Sequence, residues 1–252
     1  MSIMIPILTY HSIDDSGSVI STHPQKFRDQ MQILYDRRFN IISLSDLVAL
    51  MHNKQPLPSK TAVITFDDGF KNFYLKAYPI LQEFGFSATV FLVPGYIGKT
   101  SEWNATSRGI PVLDLLEWSE IREMVKSGID FGAHTMNHTD LSRLSREQAR
   151  QEIVDSKLLI QKYLEKDAQF FAYPYGRLTN ETKAIVKDEF LGACSVTFGF
   201  VDRESNVYTL PRIDMYYFSR NKFFRFIGTP MFSVYIIFRS VLRSINNNVH
   251  IV

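Results

Sequence analysis

Apolar positions along the chain fall into two alternating kinds of run. Six are short, nearly continuous and rich in β-branched or aromatic residues: Ile3–Tyr10, Ala62–Phe66, Ala88–Val93, Ile129–Ala133, Gln169–Ala172 and Gly192–Thr197. Runs of this kind predict brief strands buried on both faces, as in a parallel sheet. Longer amphipathic stretches separate them and carry helix punctuation. Thr22-His23-Pro24-Gln25 predicts a capping box with an early proline, opening a helix to about Arg38. Lys71–Phe84 stops at Gly85 and Ser119–Ser127 at Gly128, glycine being the usual left-handed terminator. Ser145-Arg146-Glu147-Gln148 predicts a second capping box, for a helix to about Lys166. The alternation predicts a small (β/α) barrel of six or seven units, with an open doubly wound sheet as the alternative.

In a barrel, chemistry belongs where strands end and helices begin, and polar motifs cluster there. Thr65-Phe66-Asp67-Asp68-Gly69 follows the second apolar run. Adjacent carboxylates at a strand end leave the pleat in different directions, so one can bind a metal while the other stays free as a base. Asp-Gly is equally a common turn dipeptide. His134-Thr135-Met136-Asn137-His138 follows the fourth run; a helical turn there would bring both imidazoles to one side. Two histidines and a carboxylate make a three-ligand site with positions open for water and substrate, whereas a lone histidine pair is more often a packing feature. Phe171-Ala172-Tyr173-Pro174-Tyr175-Gly176 closes the fifth run with a turn whose backbone N–H groups could face a site. Tyr10-His11-Ser12 ends the first, and an imidazole there suits protonation of a leaving group.

In this order and at these strand ends, TFDDG (65–69), HTMNH (134–138) and FAYPYG (171–176) resemble the polysaccharide deacetylase family, the NodB-homology proteins of carbohydrate esterase family 4. The resemblance spans roughly residues 3–215, including Leu116-Glu117-Trp118-Ser119. It implies an α/β fold, a distorted (β/α)7 barrel, and metal-dependent removal of N-acetyl groups from N-acetylglucosamine-type sugars in a polysaccharide or glycolipid. Deformylation or deacetylation of a lipid-linked monosaccharide is one alternative, and a catalytically silent carbohydrate-binding relative another. Residue by residue, the resemblance implies Asp68, His134 and His138 as metal ligands and Asp67 as the base that deprotonates the attacking water. Tyr175 matches the position whose backbone N–H helps hold the oxyanion. Zn2+ is the expected ion, although Fe, Co and Ni suit the same ligands.

Two departures from the family pattern matter. Ala172 stands where many members carry an arginine that orients the base. Arg212, in Leu210-Pro211-Arg212-Ile213, is a candidate replacement, set against the plainer reading of a structural ion pair. The Leu-x-His motif of the family's C-terminal end is missing, and His250 at the extreme terminus is not taken for it. Instead, Tyr10-His11 is similar to the branch acting on poly-β-1,6-N-acetylglucosamine, which implies His11 as the general acid.

Composition narrows the partners. The 252 residues hold 28 Lys+Arg against 26 Asp+Glu, a net charge of +2, which gives no footprint for nucleic acid. One cysteine, Cys194, excludes an intrachain disulfide framework. Met1–Leu8 lacks a basic start and the length of a signal-peptide core, and no apolar run reaches the roughly 18 residues of a membrane span. The expected location is cytoplasmic, or peripheral on the cytoplasmic membrane face. The balance is uneven, however. Residues 211–252 carry Arg212, Arg220, Lys222, Arg225, Arg239 and Arg243 against Asp214 alone, among many aromatics. The chain therefore divides into a catalytic domain, 1–215, and a basic aromatic segment, 216–252. In that segment Met231, Val234, Tyr235, Phe238, Val241, Leu242 and Ile245 follow helical 3, 4 spacing, with Arg239 and Arg243 on the other side. The plain expectation is a closing helix whose apolar stripe packs on the barrel. The sharper one is peripheral membrane contact through 222–245. Trp103, in the polar insertion 98–104, is either a sugar-stacking residue or a loop anchor.

Overall fold

The computed structural model of the chain describes residues 4–104, 109–219 and 222–249, with side chains of the last helix as far as Arg243. Strand β1 (Ile7–Tyr10) leads through helix α1 (Pro24–Asp36) to a two-residue strand β2 (Asn40–Ile41) and helix α2 (Leu44–His52). Strands and helices then alternate as β3 (Thr61–Phe66), α3 (Tyr78–Phe84), β4 (Thr89–Leu92), α4 (Trp118–Lys126), β5 (Asp130–Ala133), α5 (Arg146–Leu164), β6 (Phe170–Ala172), α6 (Asn180–Glu189) and β7 (Gly192–Phe198). Strand β8 (Leu210–Asp214) is followed by α7 (Tyr216–Ser219) and α8 (Pro230–Val249). Strands β1 and β3 to β8 pair in parallel around a closed ring of seven, because β1 bonds both β3 and β8; β2 adds only to the start of β3. This is the distorted (β/α)7 barrel, and the open-sheet alternative is excluded.

The period of two along each strand separates two cores. Leu8, Tyr10, Ala62, Ile64, Phe66, Val90 and Leu92 face outward to the helices. Ile7, Val63, Phe91, Phe170, Ala172, Cys194 and Leu210 face inward and fill the barrel, and Leu44, Leu47 and Val48 of α2 plug its lower end. Filling is tight. A Cβ on Gly132 would lie 2.7 Å from both the Phe170 carbonyl oxygen and the Phe91 ring, so only glycine fits there. Burial pushes the thiol of Cys194 up to about 12, so it is no nucleophile.

Local chemistry departs from expectation at five places. The N-cap of α1 is His23, whose Nδ1 accepts from the Gln25 N–H at 3.2 Å; Thr22 is buried and is not the cap. Lys71–Phe84 is not one α-helix, because a π-helical turn (Phe73–Ala77) precedes α3. Pro79 has no N–H to continue the usual ladder, and the Tyr78 N–H reaches back five residues to the Phe73 carbonyl. The first strand begins later than Ile3, which lies outside the described residues; Ile5 makes only an isolated bridge to Val201. Helix α2, opened by a Ser43–Asp46 capping box, is an addition to the predicted elements.

The fifth place is α8, which is turned the other way from a plain closing helix. Phe232 and Ile236 are buried against the core, and the guanidinium groups of Arg239 and Arg243 lie over the rings of Tyr217, Tyr235 and Phe198. The predicted stripe of Met231, Val234, Phe238, Val241 and Leu242 is exposed instead; Tyr235 alone packs against the core, and the Ile245 side chain lies outside the described residues. Flat guanidinium planes stack well on aromatic faces, so the arginine side could serve as the packing side. Among the described residues no helix is long and apolar enough to cross a membrane.

Candidate active site

Inward parity carries His11 and Asp67 to one rim. Register sets Ile7 beside Val63 and Thr9 beside Thr65, so one more pleat places His11 beside Asp67. The Nε2 of His11 lies 3.8 Å from Asp67 Oδ2, beyond hydrogen-bond reach but close enough for the charges to interact. The His11 loop is fastened to the carboxylate loop through Asn72, whose Oδ1 accepts from the Ile13 N–H and whose Nδ2 donates to Ser12 Oγ at 2.6 Å.

Asp67 is held from beneath by Arg212, which points inward from β8. Its Nη1 and Nη2 donate to Oδ1 and Oδ2 of Asp67, each at 2.7 Å, and its Nε donates to the Ser195 carbonyl at 2.9 Å. Both side chains are buried. Burial alone would push the Asp67 carboxyl up, but the guanidinium beside it outweighs this and holds it well below the usual carboxylate range. Ala172, inward-facing on β6, contributes only its carbonyl oxygen. The ion-pair reading of Arg212 and the base-orienting reading therefore describe one contact.

Asp68 leaves the strand in the opposite sense, with φ at 73°, toward His134 and His138. The ligand atoms of these three lie within 4.8 Å of one another. The two histidines are joined by an irregular loop, not a helical turn, with Thr135 and His138 at positive φ. Asn137 ties this loop to Glu152 of α5 through both its backbone N–H and its Nδ2. His134 Nδ1 is 2.7 Å from the Ala172 carbonyl oxygen. That oxygen can only accept, so Nδ1 carries the proton. Burial holds the His134 imidazole down, to about 4, so it is neutral and its Nε2 offers a lone pair. That lone pair faces Asp68 Oδ1 at 3.5 Å, and His138 Nε2 lies 3.1 Å from the same oxygen. Asp68 Oδ1 is buried with no hydrogen-bond partner. The His134 lone pair set against a buried orphan carboxylate oxygen is repulsive unless a cation joins them. The residues fit a divalent metal.

Tyr175 stands over this group in a left-handed conformation, φ 58° and ψ 5°. Its hydroxyl lies 3.0 Å from His138 Nδ1, the partner that turns Nε2 toward Asp68. Gly176 completes the turn, since a Cβ there would lie 2.0 Å from Val196. Trp103 stacks on the other side of His138, centroids 4.8 Å apart and planes 24° from parallel, so that ring face serves the site and not a sugar. The strained backbones of Asp68, Thr135, His138 and Tyr175 gather around one point, at a cost of order 1–3 kcal/mol each. No sequence signal marks such strain where the residue is not glycine.

The family model described as polysaccharide deacetylase matches residues 54–190, which include Asp67, Asp68, His134, His138 and Tyr175. The chain belongs to the polysaccharide deacetylase family. It is a hydrolase of amide bonds, and His11 and Arg212 lie outside the matched residues. YxkH of Bacillus subtilis, whose name places it with the polysaccharide deacetylases, is 29% identical over 210 residues, 83% of this chain and 70% of its own length. The poly-β-1,6-N-acetyl-D-glucosamine N-deacetylase of Staphylococcus aureus is 26% identical over 208 residues, 77% of this chain and 67% of its own. Among solved structures, the Streptococcus pyogenes deacetylase PplD, in complex with acetate, superposes with a TM-score of 0.73 at 26% identity, covering 85% of this deacetylase and 93% of PplD. IcaB from Ammonifex degensii gives 0.72 at 21% identity, covering 85% and 92%, a likeness of fold.

Proposed function

We propose that this deacetylase removes N-acetyl groups from an N-acetylglucosamine polymer, with Asp68, His134 and His138 holding a divalent metal, Zn2+ first among the candidates. The observation that carries the reading is the buried, unpartnered Asp68 Oδ1 facing two imidazole nitrogens, beside a second carboxylate fully engaged by Arg212. A metal held there supplies Lewis acidity, polarising the acetyl carbonyl and acidifying water. The chain's own residues do the rest. Asp67, kept ionised by Arg212, takes the proton of the attacking water. The backbone N–H of Tyr175 donates to the oxygen that gains charge as water adds to the carbonyl carbon. His11, on the opposite side of Asp67 from the histidine pair, gives a proton to the departing amine as the C–N bond breaks, leaving acetate and a free amino sugar. Likeness to a poly-β-1,6-N-acetyl-D-glucosamine N-deacetylase supports β-1,6-linked chains as the substrate.

The test is acetate release from β-1,6-linked N-acetylglucosamine oligomers and from chitin oligomers, with and without a chelator. Release from the β-1,6 series that stops on chelation and returns with Zn2+ is expected. Unchanged release in the chelator removes the metal from the proposal. No release from any acetylated amino sugar by metal-loaded protein removes the substrate class. A lipid-linked amino sugar is a second reading, favoured by the exposed apolar face of α8.

A further inference from the structure

At 100° per residue, Met231, Val234, Ile237, Phe238, Val241 and Leu242 fall within an arc of about 140° on α8. All six are exposed, Val234 to 66%, Phe238 to 61% and Val241 to 53%. The opposite side is spent on the barrel, through Phe232, Ile236 and the two arginines stacked on aromatic rings. A contiguous stripe of large apolar side chains facing water marks a surface that something covers.

The charge at its root says what. From Met215 to Val252 the sequence holds five Lys and Arg residues and no acid; of these Arg239 and Arg243 face the barrel, Arg220 lies outside the described residues, and Lys222 and Arg225 border the start of the helix. At the root of α8 lies a cleft of about 200 Å³, bordered by Lys26, Lys222 and Arg225 with Asp29 as the acid among them. Gln30 lines it too; its Oε1 accepts from the Tyr10 hydroxyl at 2.9 Å, and its Nε2 is buried without a hydrogen-bond partner. The cleft walls, Phe218 and Phe224, pack their rings on Phe232 of α8, so cleft and helix are one unit. A buried amide donor under three cations suits an anionic oxygen, and the apolar stripe suits hydrocarbon. A second copy of the chain matches the stripe with its own, but a two-fold contact through this face brings cations and not an anionic oxygen to the cleft.

We propose that α8 and the cleft at its root form a docking surface for an anionic phospholipid bilayer, the stripe entering the interfacial layer and the cleft taking a headgroup phosphate. The chain enters the helix from Gly228, close to the Phe39 ring near the start of β3, and the helix runs along the barrel wall to Arg243, over Phe198 at the C-terminal end of β7. Docking on this side therefore sets the rim that carries Asp67 beside the membrane surface.

Flotation of the full chain with phosphatidylcholine vesicles, with or without phosphatidylglycerol, tests this without any substrate. Binding is expected only to the anionic vesicles and should weaken with added salt. Val234→Ser with Phe238→Ser, both solvent-facing, should lower partitioning by about tenfold or more. Lys222→Glu with Arg225→Glu should do the same and remove the preference for anionic lipid. Unchanged melting temperature establishes that each variant is folded. Absence of binding by the folded wild type, or equal binding to both vesicle types, overturns the proposal. So does a dimer in sedimentation that Val234→Ser with Phe238→Ser dissociates, which would make a second copy the cover.

Discussion

Replacing Arg212 by Met tests whether the residue outside the matched family region governs the base. The substitution removes two 2.7 Å charge-assisted bonds to Asp67 and the Nε bond to the Ser195 carbonyl, all buried. His11, 3.8 Å away and partly exposed, then remains beside the carboxylate, beyond hydrogen-bond reach. Breaking a buried pair from one side costs about 3–5 kcal/mol. With the guanidinium gone, burial acts on the Asp67 carboxyl unopposed and moves it upward. A base must be ionised to accept a proton, so the acidic limb of kcat/KM against pH shifts to higher pH in Arg212→Met. At neutral pH the loss of about 3 kcal/mol of positioning corresponds to roughly a hundredfold. Arg212→Lys keeps a charge but not the fork, and falls between. The folded carboxyl of Asp67 lies below its unfolded value, so the pair's contribution to stability is complete above about pH 4. It is lost as pH falls through the folded value. The gap in melting temperature between wild type and Arg212→Met therefore narrows on acidification, first above that point as the raised carboxyl of the variant takes up its proton, and further below it as the wild-type pair is lost. Metal content should not change, because the hydrogen bonds of Arg212 run to Asp67, Thr65 and Ser195 and leave Asp68, His134 and His138 alone. The reasoning fails if Arg212→Met keeps the wild-type acidic limb and rate.

Other perturbations separate the remaining roles. His11→Ala should lower kcat by about a hundredfold or more while metal content stays constant, read by acetate release and elemental analysis together. Tyr175→Phe removes only the hydroxyl beside His138 Nδ1, so metal affinity should fall by about 10–100-fold in a chelator competition while the rate at saturating metal is retained. Chelated protein should lose stability as pH falls from about 6.5 to 4, by up to about 3 kcal/mol. The cause is His134, which stays neutral in the fold to about 4 while the unfolded chain takes up the proton earlier. Urea melts across that window should show the slope, and His134→Gln should flatten it.

Much of the catalytic rim was legible because it depends on short-range order. A strand end followed by Asp67-Asp68, and another followed by His134 and His138, needs only the strand's period and the direction of the barrel. Arg212 was legible as a candidate and undecided as to role, because its partner is 145 positions away in sequence and the contact depends on β8 returning to β1. Inward parity on both strands brings it to Asp67, and parity requires the barrel to be closed first. The irregular loop between the two histidines was not legible: Thr135 and His138 take positive φ through tertiary bonds, such as that from the Met136 N–H to the Glu152 carbonyl, which leave no local trace. The π-helical turn before α3 had a trace in Pro79, but proline at that point also suits the start of a helix, which α3 indeed is.

α8 shows where hydrophobic periodicity stops informing. Spacing identifies which residues share a face of a helix; it does not say which face meets the protein. Packing is decided by the whole contact free energy, and here the barrel side offers aromatic rings at Phe198 and Tyr217, on which guanidinium groups stack at 4.5–5.3 Å. Arg239 and Arg243 can lay flat planes on those rings and still keep part of their hydration, so the cost of covering them is small. The aliphatic stripe has no such second use, and leaving six large apolar residues in water forgoes about 1.5–3 kcal/mol each relative to burial. A helix turned this way persists only if the packed side suffices alone or if the stripe finds a cover. Phe232 and Ile236 in the shared core show that the packed side is substantial. The stripe is then free to serve an external surface, and Lys26, Lys222 and Arg225 against Asp29 in the cleft at its root favour an anionic one.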